Sequence, residues 1–279
     1  MRLCTHSFIL LGWLTLMAGG TVSAQIQLST TLDHVVYLQF EPMIARTTVK
    51  TGIGQPVVFN SEPTGPNFYF RVNDDYGHQM PPLADAPRAE PTMVPAQATI
   101  GFTNNMLRLY NLARPGFYSI QPCVDWMGKT YQGEKRHIEV VSGREIMRIT
   151  ANVPADGSSR TYKIFHLNRR QQDHILLRID DEESSLCYGV FPLGRSVMNE
   201  KPQMVVDATG NAHILFKNAP NRILHVTYSP FGSMIDQKIF GQEYSTISLG
   251  TKADGSVESI GQQGGPSAPK PVQSIINNR

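Results

Sequence analysis

Outside its first 25 residues this chain carries seven histidines, at positions 34, 78, 137, 166, 174, 213 and 225, and two cysteines, Cys123 and Cys187. These side chains are suited to metal binding or nucleophilic chemistry, but their spacing argues against both. No His-x-His, His-Glu-x-x-His or Cys-x-x-Cys pattern sets two ligands side by side, so no metal and no other cofactor is expected. No Gly-x-Ser-x-Gly turn is present to hold a serine nucleophile. Asp180-Asp-Glu-Glu183 reads as a solvated acidic loop, with a weak cation site as the alternative. Asp207-Ala-Thr-Gly-Asn211 lacks the alternating acids of a calcium loop and reads as a hairpin turn. The chain is therefore read as a non-enzyme. Trp126 is the one candidate ligand-binding residue. It falls in the turn Asp125-Trp-Met-Gly-Lys129, where an indole could stack on a sugar or grip a protein, with partial burial against a loop as the competing reading.

His174 and His213 stand out because they recur. His174-Ile-Leu-Leu-Arg178 matches His213-Ile-Leu-Phe-Lys217, and each is followed by an apolar run ending in Pro-x-Gly, at Pro192–Gly194 and Pro230–Gly232. A residue repeated by internal symmetry is expected to serve structure at a strand start rather than catalysis. The faces agree between copies: Ile175 and Leu177 correspond to Ile214 and Phe216, and Leu186, Tyr188 and Val190 to Leu224, Val226 and Tyr228. Leu176, Leu215 and Cys187 fall on the opposite face, so that face is expected to be covered as well. The second copy, Pro202 to His213, resembles a blade of the sialidase-type β-propellers, although the Ser-x-Asp-x-Gly-x-x-Trp box is missing from both copies. Residues 144–249 hold only two such units, too few for a ring, so two blade-like antiparallel meanders closed by packing are expected.

Residues 29–143 read differently. Short apolar runs at 35–40, 47–50, 55–59, 67–72, 99–102, 106–110 and 117–124 are separated by Pro, Gly and Asn. Five prolines between 80 and 97 mark an irregular loop. Along the last hairpin Tyr118, Ile120 and Val124 share the face expected to turn inward, with Cys123 on the other. Seven or so strands in this length argue for an antiparallel sandwich. The run Leu112-x-x-Pro115-Gly116-Phe117-Tyr118 resembles the approach to the penultimate strand of immunoglobulin-like and fibronectin-III-like domains, and the resemblance implies that Tyr118 forms a corner with the backbone. It implies no ligand and no site. The expected fold class is thus all-β: an Ig-like antiparallel sandwich, then a blade-like antiparallel β-meander.

Arg2, an apolar run from Phe8 to Met17 and Val22-Ser-Ala24 form a secretory signal pattern over residues 1–24, and no later segment is apolar enough for a membrane span. A secreted or periplasmic location follows. The formal charge of +2 gives no reason to expect nucleic acid as a partner. From residue 250 the composition turns to Gly, Ser, Pro and Gln, the signature of a flexible tail. Export permits a Cys123–Cys187 disulfide across the junction of the two halves, against the alternative of two free, part-buried thiols. The expected function is a non-enzymatic, β-rich binding or envelope-associated module. Its partner would be an unidentified protein or glycan at the cell surface or in the periplasm. A degenerate glycan-active protein and a structural subunit assembling through sheet edges are the alternatives.

Overall fold

The computed structural model describes residues 26–61, 65–87, 89–197, 200–241 and 244–263; the signal pattern and residues 264–279 lie outside the described residues. The described chain is all-β. Before residue 142 it supplies β1 (Ile26–Leu32), β2 (Val36–Leu38), β3 (Ile44–Thr51), β4 (Val57–Phe59), β5 (Asn67–Asn73), β6 (Thr92–Val94), β7 (Thr99–Asn105), β8 (Gly116–Trp126), β9 (Lys129–Gln132) and β10 (Arg136–Val141). From residue 144 it supplies β11 (Arg144–Asn152), β12 (Ser159–Arg169), β13 (Gln172–Asp181), β14 (Leu186–Arg195), β15 (Gln203–Val206), β16 (Ala212–Ala219), β17 (Arg222–Tyr228), β18 (Met234–Phe240), β19 (Tyr244–Thr251) and β20 (Val257–Gln263).

In the first half, sheet β1-β3-β7 faces sheet β2-β10-β8-β5, and β4 pairs with β6. The alternation that makes these strands is plain in β3, where Ala45, Thr47, Val49 and Thr51 are buried and the residues between them are exposed. Tyr118, Ile120 and Val124 enter the shared core with Phe68, Phe70 and Val72, as the period-2 pattern requires. Burying side chains of this size is worth about 1.5–3 kcal/mol each. Tyr118 Oη donates to Arg114 O at 2.8 Å, which is the corner expected from the motif. Three expectations are corrected. The pair β2–β10 is parallel, so the sandwich is not wholly antiparallel. The run 106–110 opens as a 3₁₀ turn (Met106–Arg108), because the Asn105 side chain accepts from Leu107 N and draws the chain out of the strand. The proline-rich segment contains β6, paired to β4.

The second half holds two four-stranded antiparallel meanders, β11-β12-β13-β14 and β15-β16-β17-β18. They share one core of Tyr162, Ile164, Ile175, Leu177, Ile214, Phe216, Leu224, Val226 and others. The repeat aligns β12 with β15, β13 with β16 and β14 with β17, so the extra strand lies before the repeat in one sheet and after it in the other. The two sheets are therefore not blades in step. The face pattern also breaks in β14. Ile179 pairs with Gly189 but Asp180 pairs with Cys187, so Tyr188 is an inserted residue. The bulge turns Val190 onto the face of Leu176 instead of the shared core, and it leaves Leu186 half exposed.

Both outer faces are covered. Leu176, Val190, Phe165 and Leu167 pack against Leu38, Val36 and Val141 of the first half, with Cys187 at the margin. On the other side Leu215 packs with Phe240 and Ile247, where hairpin β19–β20 lies over the sheet. The flexible tail expected from residue 250 is thus corrected as far as residue 263. Gly255, at φ 79°, permits the turn, and Ala208 N donates to Gly255 O at 3.1 Å, tying the hairpin tip to the sheet.

Candidate functional site

The two facing sheets of the first half both end on a free strand, β5 in one and β7 in the other. Between these edges lies a cleft of about 680 Å³, roofed by residues 82–87 and 89–92. Proline keeps the roof out of a sheet until Thr92 opens β6, since it cannot donate to a ladder. The roof is fastened at two points, where Leu83 N donates to Leu109 O at 2.8 Å and the Asn60 side chain donates to Glu90 O at 3.4 Å, and Ala86 N closes a turn within it on Leu83 O at 3.1 Å. Its floor is aromatic. Phe68 stacks on Phe102 with centroids 4.7 Å apart and meets Phe70 edge-on at 5.1 Å. Asn67, Asn104, Thr92 and Thr103 place amides and hydroxyls around it.

The exposed backbone of β5 is largely occupied. Phe68 N donates to Asn60 Oδ1 at 3.0 Å, Tyr110 Oη donates to Phe70 O, and Met80 N donates to Val72 O at 2.8 Å. A guest strand would have to displace these bonds, so the cleft is built to take a ligand against side chains. Its ionisable lining among the described residues is Glu90 with Tyr69 and Tyr110. Burial, with smaller contributions from Cys123 and Tyr69, pushes the Tyr110 phenol up to about 12; burial likewise raises Tyr69. Both are neutral donors at physiological pH.

The residues singled out by sequence are elsewhere. Trp126 is half-buried and packs against the core of the first half, and the exposed residue at the hairpin tip is Met127, 80% accessible. Trp126 pairs with Lys129, which leaves Met127 (φ 48°) and Gly128 (φ 72°) as a tight two-residue turn with the indole behind it. The expected disulfide is corrected: both thiols are free. Cys123 is buried in its own sheet, where its Sγ contacts Gln121 O at 3.7 Å. Cys187 lies in the separate cluster between the halves, where burial raises its thiol to about 11, with Asp180 adding to the effect. In Asp180–Glu183 the expected solvated loop holds for Glu182 and Glu183, which lie in an exposed turn, but not for Asp180. Asp180 is buried and pairs with Lys163 at 3.0 Å and Arg178 at 2.7 Å, and Glu182 bridges Lys163 and Arg148.

Asp207–Asn211 is the expected turn, with Asp207 Oδ1 accepting from Thr209 N and Asn211 N. It also anchors something the spacing gave no sign of. His213 Nε2 lies 3.1 Å from Asp207 Oδ2, His213 Nδ1 lies 3.1 Å from His225 Nε2, and Thr227 Oγ1 is 3.2 Å from that Nδ1. Burial works against ionised Asp207, but Thr209, Asn211 and His213 outweigh it and hold the carboxyl at about 2. Burial, then the neighbouring His213 and Lys238, lowers His225 to about 4, and its Nδ1 has no partner. His174, the repeat counterpart of His213, has none of these contacts and lines a cavity between the two halves. The shared strand position thus carries two different environments.

No protein-family model matches this chain, and no curated protein matches it. Among solved structures, the sporulation control protein Spo0M from Bacillus subtilis aligns over 79% of this chain and 91% of its own, at 10% identity and a TM-score of 0.28. The periplasmic chaperone SfaE aligns over 77% of this chain and 98% of its own, at 9% identity and a TM-score of 0.24. Likeness at this level has no bearing on function.

Proposed function

We propose that this chain is an exported, non-enzymatic binding module, and that the cleft beneath the proline-rich roof is its ligand site. The observation that carries the reading is the pairing of an aromatic floor with an amide and hydroxyl rim in a space of about 680 Å³, within the usual range for small-ligand sites. Among the described lining residues, one carboxylate with two neutral phenols offers hydrogen bonds but no matched acid and base. The ligand that fits is neutral and amphipathic, with apolar faces and hydroxyl edges, as an oligosaccharide has. Screening the protein against a panel of neutral glycans tests this. Binding is expected to fall tenfold or so, about 1.4 kcal/mol, in Asn67→Ala and Asn104→Ala and to be unchanged in Trp126→Phe. Glycan binding that ignores both cleft substitutions would refute the assignment, as would the absence of binding across the panel.

A second reading, assembly through sheet edges, has its own support. Strand β18 is an outer strand, and Met234, Ile235 and Ile239 on it are each about half exposed. Sedimentation at rising concentration tests it, because a strict monomer removes it and dissociation by Ile239→Lys supports it.

A further inference from the structure

The β1–β2 turn and the β12–β13 hairpin, far apart in sequence, meet at the junction of the two halves around a cavity of about 340 Å³ lined by Asp33, His34, Arg169, Arg170, Gln172 and His174. We propose that this cavity is a binding site for a small oxyanion, a phosphate or carboxylate group, held by Arg169, Arg170, His34 and His174. It is separate from the cleft of the first half and does not rest on that reading.

The hydrogen-bond inventory favours an acceptor as guest. Arg169 is 6% exposed, and one of its nitrogens is committed to the buried Glu41 carboxylate. Its Nε has no partner among the described residues and is closed to water, so a guest meets this guanidinium through its charge, while Arg170, His34 and His174 line the cavity with donor groups. The carboxylates nearby are already engaged. Glu41 takes Arg169 and Leu38 N (2.8 Å), while Asp33 Oδ1 accepts from Tyr37 Oη, from His34 N at 3.2 Å and from Ile44 N at 3.3 Å. The hairpin tip is held in an unusual form. Arg170 and Gln171 both have positive φ, 50° and 63°, in a two-residue turn that ordinarily selects Asn or Gly. That conformation keeps exposed Arg170 at the cavity rim. Burial lowers both His34 and His174, and the Arg169 charge is the next cause in each. A bound anion would reverse that repulsion.

The test uses sulfate, whose charge is constant across the range, on the full chain without its first 24 residues. Imidazole resonances of His34 and His174 should shift with a saturable curve in the low millimolar range or tighter. Binding should strengthen from pH 8 to pH 5.5 as the two histidines take up protons. The charged groups facing them are Arg169, Arg170 and Arg195 on one side and Asp33 and Asp173 on the other. Arg170→Ala and His174→Gln leave the buried Glu41–Arg169 pair intact and should each weaken binding about tenfold. Parallel titrations with acetate and with phosphate distinguish a carboxylate from a phosphate ligand. Flat titrations with all three anions would overturn the proposal, and so would binding that survives both substitutions.

Discussion

The buried chain Asp207–His213–His225 makes a definite prediction about acid stability. His225 is 3% exposed, its Nδ1 is unpartnered, and its pKa is lowered from 6.5 to about 4. Between those two values the unfolded chain binds a proton that the folded chain refuses, so stability falls as the pH falls from 6.5 towards 4. Below about 4 this residue contributes no further loss. At 1.36 kcal/mol per pH unit the full shift corresponds to about 3 kcal/mol, and roughly 2 kcal/mol after allowance for solvent screening. Replacing His225 with phenylalanine keeps ring volume, removes the titration and leaves His213 Nδ1 its Thr227 contact at 3.2 Å. The assay is urea unfolding followed by near-ultraviolet tyrosine dichroism, at half-unit steps from pH 7.5 to pH 4. His34 and His174 are lowered too and tilt both proteins in the same direction, so the quantity that matters is the difference between the two slopes. His225→Phe should lose about 2 kcal/mol less than the parent over this range. Identical slopes would show that the relay does not titrate as its burial requires.

Four further outcomes follow from the packing and the thiols. Glu41→Gln leaves Arg169 buried without its counter-charge and should cost about 3–5 kcal/mol, while the double change Glu41→Leu, Arg169→Met should recover most of that; chemical denaturation of all three variants checks it. Tyr118→Phe removes the bond to Arg114 O and should cost about 1 kcal/mol, read as a shifted urea midpoint at unchanged slope. Ending the chain at Gly241 removes Ile247 and Leu249 of β19, which cover Leu215 and Phe240, and should raise binding of a hydrophobic dye and lower solubility. Under denaturing, non-reducing conditions the protein without its first 24 residues should titrate two thiols, with Cys187 unreactive while folded because its thiol is raised to about 11.

Much of the fold was legible because period-2 alternation is local. Tyr118, Ile120 and Val124 in β8, and Leu224, Val226 and Tyr228 in β17, face inward as their spacing requires. The failures share one cause, which is that tertiary contacts chose among local options. The spacing of Leu186, Tyr188 and Val190 is the same as that of their repeat counterparts, yet one inserted residue at Tyr188 reassigned Val190 to the other face. Trp126 looked like a tip residue because Trp-Met-Gly reads as a turn, but positive φ at Met127 and Gly128 placed the tip one residue later. The candidate sites were less legible still. The cleft joins residues 60–110 across two sheet edges, and the junction cavity joins Asp33 and His34 to the hairpin at Arg169–Arg170, with no motif in common. The five prolines between 80 and 97 and the Arg169-Arg170 doublet were the visible signals, and a solvated loop explains either one.

The covered faces explain where binding can occur. In a two-layer β protein the broad outer faces of the sheets are the obvious surfaces for a partner. Here the outer face of β11–β14 is closed by Leu38, Val36 and Val141, and that of β15–β18 by hairpin β19–β20. Leu176 and Leu215, apolar on the outward side of their strands, are therefore read as packing residues. Among the places left open are the β5 and β7 edges under their proline-rich roof, the hairpin tip at Arg170, and the outer strand β18. Each site proposed above lies at one of these places. The buried Glu41–Arg169 pair joins the two halves beside the junction cavity, so an oxyanion that engages Arg169 would act on the same side chain that fastens one half to the other.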